Sequence, residues 1–373
     1  MIGMILCGGY SSENSKPGSK EIPKPLRPLK GNYTILDKQL NDMIYANAMM
    51  EKHLQDMIHE HQRMDWQLEN ATINKQRGDM EKNKIKKIIL LVGHLSETIK
   101  DRYGYNYNGI RIEYSYEEEP LGTLNAINHA VKSLDDNDLV LVRNGDVISD
   151  INLIKMMKKY DFATYSAMMF ITKMRSPYGV VEVENDYVNS FREKPDLDYN
   201  INGGIYIFDR RIPFGDFDKG DIEKTILPLL ANTHQLGYYS EDSLWMSIDS
   251  TRDLEALRRE YENRKDKPWG YEKTLVKTER HVTREIYMKE GFQTSWHYHD
   301  QEEVLYVLRG ECFVQKENDK REFFEKNDMI RIDKQEPHAI VALAPSIMHS
   351  ISGPDEEDII RINDFYQRDK LNC

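Results

Sequence analysis

The chain is short of cysteine, of long apolar runs and of positive charge, and each shortage removes a class of protein. Three cysteines in 373 residues, Cys7, Cys312 and Cys373, are odd in number and lack metal-ligand spacing. Neither a disulfide framework nor a thiolate zinc site is expected, and a reducing cytoplasm is the expected compartment. The longest apolar runs, such as Ile88–Val92 and Leu139–Val142, fall far below the ~20 residues of a membrane span. The opening Met1-Ile2-Gly3-Met4-Ile5-Leu6 has no basic start or cleavage site and reads as a first strand. With 63 acidic against 51 basic residues the formal charge is -12, which disfavours nucleic acid as a partner. Anionic small molecules must then be held by local amides, lysines and metal ions.

What is present is a globular balance of 39% hydrophobic and 31% charged residues, at a length that suits two cores rather than one. Up to about residue 262, short β-rich runs (Gly3–Cys7, Lys87–Val92, Arg111–Tyr114, Leu139–Arg143, Ala167–Thr172) alternate with helical patterns such as Thr123–Leu134. That alternation predicts an α/β domain with a largely parallel sheet. The charged helical pattern Glu255–Lys265 stops at Lys267-Pro268-Trp269-Gly270, where a boundary is placed between domains 1–262 and 266–373. Beyond it, short alternating strands (Glu285–Met288, Val304–Leu308, Met329–Ile332, Ile359–Ile362) predict an all-β sandwich or barrel. Residues 41–84 fit neither texture. Met43, Met50, Met57 and Met64 recur there every seven residues, beside Leu54, His61 and Leu68. The pattern fits a helical insertion that packs one face on its own domain, or a helical arm that makes a homodimer contact.

The first domain carries an ordered series of motifs. The opening strand runs into Leu6-Cys7-Gly8-Gly9, where paired glycines let backbone amides approach a phosphate. Pro23-Lys24-Pro25-Leu26 sets a lysine on a stiff loop, and Gly122-Thr123 opens a helix where the missing side chain lets the backbone meet a flat base. Leu139–Gly145 is a buried strand leading to Asp146, at the carboxyl edge where open α/β sheets bind ligands. Tyr178-Gly179-Val180, Phe191-Arg192-Glu193-Lys194-Pro195, Ile201-Asn202-Gly203-Gly204 and Trp245-Met246-Ser247-Ile248-Asp249 follow in turn.

With these motifs in this order, residues 1–262 resemble the sugar-phosphate nucleotidyltransferases, which join a nucleoside triphosphate to a sugar 1-phosphate and release pyrophosphate. The resemblance implies a Rossmann-like domain with a GT-A-like mixed sheet. It implies that Leu6, Gly8, Gly9 and Gly122 bind the nucleotide, that Asp146 holds the catalytic Mg²⁺, and that Lys24 contacts the triphosphate. Lys194 would contact the sugar phosphate, while Gly179, Glu193 and Asn202 line the sugar pocket. Two positions depart from the family pattern. Ser11 and Glu13 stand where a glycine and a triphosphate-gripping arginine are usual, leaving Lys16 or Lys20 as replacement cations. Ser247 stands where an aspartate is usual, with Asp249 two residues later on the same strand face as a displaced metal ligand.

In the second domain Gly291, His297, His299, Glu303 and Gly310 follow the pattern G-x5-H-x-H-x3-E-x6-G, and His338 follows Pro337 downstream. Alternation puts His297 and His299 on one side of a strand, and three imidazoles with one carboxylate suit Zn²⁺, Fe²⁺, Mn²⁺ or Ni²⁺. This resembles the cupin family, although Asn327, Asp333 and Gln335 replace the usual glycine, proline and glycine of its second motif. The framing segments Lys267–Glu272 and Asp358–Tyr366 are similar to those of the cupin isomerase domain fused to mannose-1-phosphate guanylyltransferases. The resemblance implies an enzyme using a nucleoside triphosphate and a sugar 1-phosphate, with a cupin that isomerises or epimerises a sugar of the same pathway. A transferase acting on another phosphorylated small molecule, and a non-catalytic nucleotide-sugar sensor, remain as alternatives.

Overall fold

The computed structural model describes residues 1–8, 22–64, 70–119, 122–135, 138–212, 214–216, 219–354 and 359–366. Gly9, Ser11, Glu13, Lys16 and Lys20 lie outside the described residues. An eight-stranded mixed sheet forms the first half, in the order Leu236–Ser240, Ala167–Arg175, Asp196–Asp209, Leu139–Asn144, Ile2–Leu6, Lys87–Val92, Ile110–Tyr116 and Asn106–Tyr107. Ile2–Leu6 is central and parallel to both neighbours. Asp196–Asp209 runs antiparallel to Leu139–Asn144 and to Ala167–Arg175, so the sheet is mixed, in agreement with the GT-A-like expectation.

Because successive side chains of a strand face opposite ways, the apolar opening strand feeds two cores. Ile2 and Met4 pack with Leu124, Ile127 and Phe208 under the helix Thr123–Val131. Met1, Ile5 and Cys7 pack on the other face with the long helix α1, Ile35–Met64. That second core continues through Met49 and Met50 of α1 into Trp269, Ile286, Met288 and Phe292 of the C-terminal half.

The predicted insertion is therefore two helices, α1 and α2 (Asn70–Asn83), the first of which begins before residue 41. Leu36, Leu40, Met43 and Met50 of α1 are buried in the chain's own core, with Met43 fully covered and Met50 4% exposed. The first half of the methionine seam is thus occupied within one chain. His53, further along α1, hydrogen-bonds the Gly291 carbonyl at 2.8 Å, so the helix bridges the two halves.

The helical pattern expected over Glu255–Lys265 is realised as Thr251–Tyr261, started by a Ser250/Asp253 capping box. Arg264–Lys267 is instead a strand, which opens a six-stranded sheet with Gly270–Lys277, Val282–Met288, Ser346–Ser352, Glu303–Arg309 and Met329–Ile332. A three-stranded sheet of Arg321–Glu325, Glu311–Gln315 and Ala339–Ala342 accompanies it, and Trp296–Tyr298 pairs with Ile360–Asn363. The C-terminal half is all-β, as its alternating texture predicts.

A buried charge network joins the halves. Asp150 accepts from Arg264 at 2.7 Å and lies 3.4 Å from Lys38 Nζ; Asp42 pairs with Lys38 at 2.5 Å and with Arg143 at 3.1 Å. Among the described residues no helix is long and apolar enough to cross a membrane.

Candidate active site and metal centre

Asp146 stands just beyond the carboxyl end of Leu139–Asn144. Gly145 makes the turn possible, since a Cβ there would lie 2.2 Å from the Leu6 carbonyl oxygen, which accepts a 3.0 Å hydrogen bond from the Gly145 amide. Two features bring the late tryptophan motif to this point. Trp245–Ser247 pairs antiparallel with Val147–Ser149, and the Ile248 amide donates to the Asp146 carbonyl at 2.9 Å. Asp249 consequently arrives beside Asp146, and the Lys24 ammonium sits 3.2 Å from Asp146 Oδ2 and 3.9 Å from Asp249 Oδ1. Ser247 donates to Asp249 Oδ2 at 2.9 Å. The carboxylates remain accessible, Asp146 at 28% and Asp249 at 74% side-chain exposure, so both are open to a ligand. Two convergent carboxylates fit a hard divalent cation.

The motifs of the sugar side form a second group. Val180–Glu184 and Tyr187–Arg192 make a two-stranded antiparallel ribbon whose open end brings Gly179 beside Glu193 and Lys194. Lys194 adopts φ +47°, and its ammonium lies 3.9 Å from Glu193 Oε1. Asn202 sits at an irregularity in the pairing of its strand, receives the Gly204 amide at 3.0 Å and donates to the Tyr206 hydroxyl at 2.6 Å. The indole of Trp245 donates to the Gly203 carbonyl at 2.9 Å, which ties this bulge to the strand leading to Asp249.

Gly122 also has a packing role that its motif does not announce. It caps Thr123–Val131 at φ +97°, and a Cβ there would meet the Gly220 carbonyl oxygen at 2.3 Å and Asp221 Oδ1 at 2.9 Å. Its bareness makes room for the chain's own 219–223 loop. That loop supplies a residue the motifs do not announce, Glu223, which accepts from Thr123 Oγ1 at 3.2 Å and from the Tyr206 hydroxyl at 3.4 Å. It lies in the polar stretch Lys219–Lys224, which has no periodicity that would single it out.

In the barrel, His297 and His338 form an isolated bridge, and one ring nitrogen from each of His297, His299 and His338 lies within 4.8 Å of the others. All three Nδ1 atoms face backbone carbonyls: Ser295 O at 2.7 Å, Gln301 O, and Glu336 O at 2.8 Å. A carbonyl only accepts, so each Nδ1 carries the proton and each Nε2 lone pair turns inward. His338 Nε2 is buried with no hydrogen-bond partner, and His299 Nε2 lies 3.5 Å from Glu303 Oε2. A lone pair facing a carboxylate is repulsive, and a cation among these atoms reconciles them. The donor set fits a transition metal on that ground. Glu303 lies beside the trio through His299, and Ser350 donates to its Oε1.

Burial alone would raise the Glu303 carboxyl, yet in the metal-free barrel His299, once it takes a second proton on the nitrogen facing Glu303, and the Ser350 hydroxyl outweigh it and bring the group down to about 2. Burial, and then the neighbouring His338, lower His297 to about 3. The unfolded chain takes up a proton at His297 near 6.5 that the folded, metal-free barrel refuses, so this residue's contribution is present above that pH and is lost as pH falls towards 3. In chelator-treated protein, the denaturation midpoint should fall more steeply with acidity between pH 6.5 and 4 in the wild type than in His297→Gln; parallel curves would contradict this.

The departures in the second histidine motif have a backbone explanation. Asn327 and Gln335 occupy left-handed conformations, φ +77° and +58°, at positions where glycine is usual. Asparagine visits that region readily, whereas glutamine is strained there by about 1 kcal/mol. His338 is in place despite both substitutions.

A nucleotidyl transferase family model matches residues 2–264, and a cupin domain model matches residues 284–351. The chain belongs to the nucleotidyl transferase family. As a member of that family it is 32% identical over 219 residues to a D-glycero-alpha-D-manno-heptose 1-phosphate guanylyltransferase of Campylobacter jejuni, covering 58% of this chain and 79% of the relative. It is 34% identical over 183 residues to the mannose-1-phosphate guanylyltransferase catalytic subunit beta of Danio rerio, covering 46% of this chain and half of the relative. Among solved structures, HddC from Yersinia pseudotuberculosis matches 70% of this chain and all of its own, with 21% identity and a TM-score of 0.46.

Proposed function

We propose that this nucleotidyltransferase joins a nucleoside triphosphate, GTP first, to a mannose-type sugar 1-phosphate and releases pyrophosphate. The observation that carries the reading is the meeting of Lys24, Asp146 and Asp249 at the carboxyl end of the sheet. Its relatives' guanylyltransferase names support the choice of base. In the reaction a sugar-phosphate oxygen attacks the α-phosphorus and pyrophosphate departs, so no protein nucleophile is needed and catalysis is positioning and charge neutralisation. Asp146 and Asp249 would hold Mg²⁺, which neutralises charge on the triphosphate when bound. Lys24 lies within reach of both carboxylates and so borders the same phosphates. Lys194, half-buried just past the ribbon, is assigned to the sugar phosphate, Gly179, Glu193 and Asn202 to the sugar, and Leu6, Gly8, Gly9 and Gly122 to the nucleotide. In the barrel, His297, His299, His338 and Glu303 would hold a transition metal.

Four nucleoside triphosphates tested against mannose 1-phosphate, glucose 1-phosphate and manno-heptose 1-phosphate, read by pyrophosphate release, decide the reading. Release with GTP and a manno-configured sugar is expected to exceed every other pair by at least about tenfold, the discrimination of one good polar contact. Absence of release with every pair would favour a nucleotide-sugar sensor.

A further inference from the structure

The turn that carries Asp146 is gripped from the long helix α1. Gln39 of α1 is fully covered, and its Nε2 donates to the Asn144 carbonyl at 2.8 Å and to the Val147 carbonyl at 2.7 Å. Asn144 and Val147 stand on either side of the Gly145-Asp146 turn. A primary amide has two N–H groups, and here each is spent on one end of the same turn. Three residues along α1, Asp42 pairs with Arg143 at 3.1 Å, so one face of the helix holds both the strand end and the turn that follows it.

Packing alone does not call for a glutamine at this position. Ile35, Leu36, Leu40 and Met43, its neighbours on α1, are apolar and fully covered. The Gln39 Oε1 is buried with no hydrogen-bond partner among the described residues, and an unmatched buried amide oxygen costs stability. A methionine of similar length would fill the space without that cost. What the amide supplies, and no apolar side chain can, is a fixed spacing between the two carbonyls and with it a fixed direction for Asp146. The Asp146 carboxylate is partly exposed and pairs with Lys24, so its aim is set by its backbone.

We propose, resting on the transferase reading, that Gln39 is a positioning residue for the reaction: it touches no substrate, and it holds the Asp146 turn in the geometry that Mg²⁺ and the triphosphate require. A misplacement of about 1 Å at a reacting centre costs on the order of 100-fold in rate, and a turn freed from both ends of its clamp has room for a shift of that size.

Gln39→Met in the full-length chain tests it. Turnover in pyrophosphate release should fall about 10- to 100-fold, with KM for the sugar 1-phosphate kept within about twofold. The Mg²⁺ concentration giving half-maximal rate should rise at least about fivefold, because the carboxylate is still present but no longer held in place. Equilibrium dialysis of GTP at a series of Mg²⁺ concentrations should show the same shift without any turnover. Amide hydrogen exchange over residues 144–148 should quicken at least about tenfold. Gln39→Asn keeps the donors on a stem too short to span both carbonyls and should move the Mg²⁺ dependence in the same direction, which serves if Gln39→Met does not fold. A merely structural glutamine would lower the urea midpoint and leave the Mg²⁺ dependence where it was. A folded variant with wild-type Mg²⁺ dependence in both assays therefore overturns the inference, and so does failure of both variants to fold. A wild type that releases no pyrophosphate, yet retains GTP with a Mg²⁺ dependence that Gln39→Met shifts, upholds the inference and overturns the transferase reading. A wild type that retains no GTP at any Mg²⁺ concentration overturns both.

Discussion

Asp146→Asn is expected to lower pyrophosphate release about 100- to 1000-fold, the range for removing one preorganised charge-stabilising group from an active site. The amide keeps the shape of the carboxylate but loses the charge that faces Lys24 at 3.2 Å and would hold Mg²⁺. The side chain is 28% exposed, and its backbone contact with Ile248 does not depend on the carboxylate, so the folded state should lose less than about 1 kcal/mol. Asp249→Asn should be milder, because that carboxylate is 74% exposed and more distant from Lys24. Steady-state release of pyrophosphate, beside a urea midpoint for each variant, separates chemistry from folding. A folded Asp146→Asn protein with near wild-type turnover would remove Asp146 from the reaction.

Asp150→Ala should produce the largest loss of stability, about 3–5 kcal/mol, the usual consequence of breaking a buried ion pair from one side. Asp150 is 3% exposed, Lys38 is 3% exposed and Arg264 is fully covered. Burial would raise the Asp150 carboxyl, but Arg264 and Lys38 hold it well below the usual carboxylate range. Removing it leaves two buried cations to share Asp42 and Asp266, and against a typical stability of 5–15 kcal/mol that loss is severe. Arg264 opens the barrel sheet while Asp150 and Lys38 belong to the first domain, so both halves should lose stability together. Guanidinium unfolding followed by fluorescence of Trp269 and by far-ultraviolet circular dichroism would show this. A midpoint shift worth less than 1 kcal/mol would mean that the network relaxes around the missing carboxylate.

Much of the fold is local and was readable. The strands Lys87–Val92 and Met329–Ile332 are found with the bounds their apolar texture suggests, and Leu139–Arg143 is extended by one residue. Such segments declare themselves because burial and strand alternation act over a few neighbours. In the sequence Arg264 and Lys265 continue the charged helical pattern of Thr251–Tyr261, and only pairing with Gly270–Lys277 makes Arg264–Lys267 a strand. The methionine repeat was legible as a helix, but which partner covers Met43 and Met50 was not, since a seven-residue period fits a chain's own core as well as a second chain.

The sequence by itself determined the order of domains, the identity of the histidine cluster and the aspartate at the strand end, because each rests on residue type and short-range spacing. Tertiary structure alone decided three other matters. Asp249 reaches Asp146 through the pairing of Trp245–Ser247 with Val147–Ser149, about a hundred residues apart in the chain. Gly122 answers to the Gly220 carbonyl of its own chain. Arg264 of the barrel sheet meets Asp150 of the first domain, 114 residues earlier in the chain. Contacts across such separations leave no period in the sequence, since the loop closure that creates them is settled by the packing of whole elements.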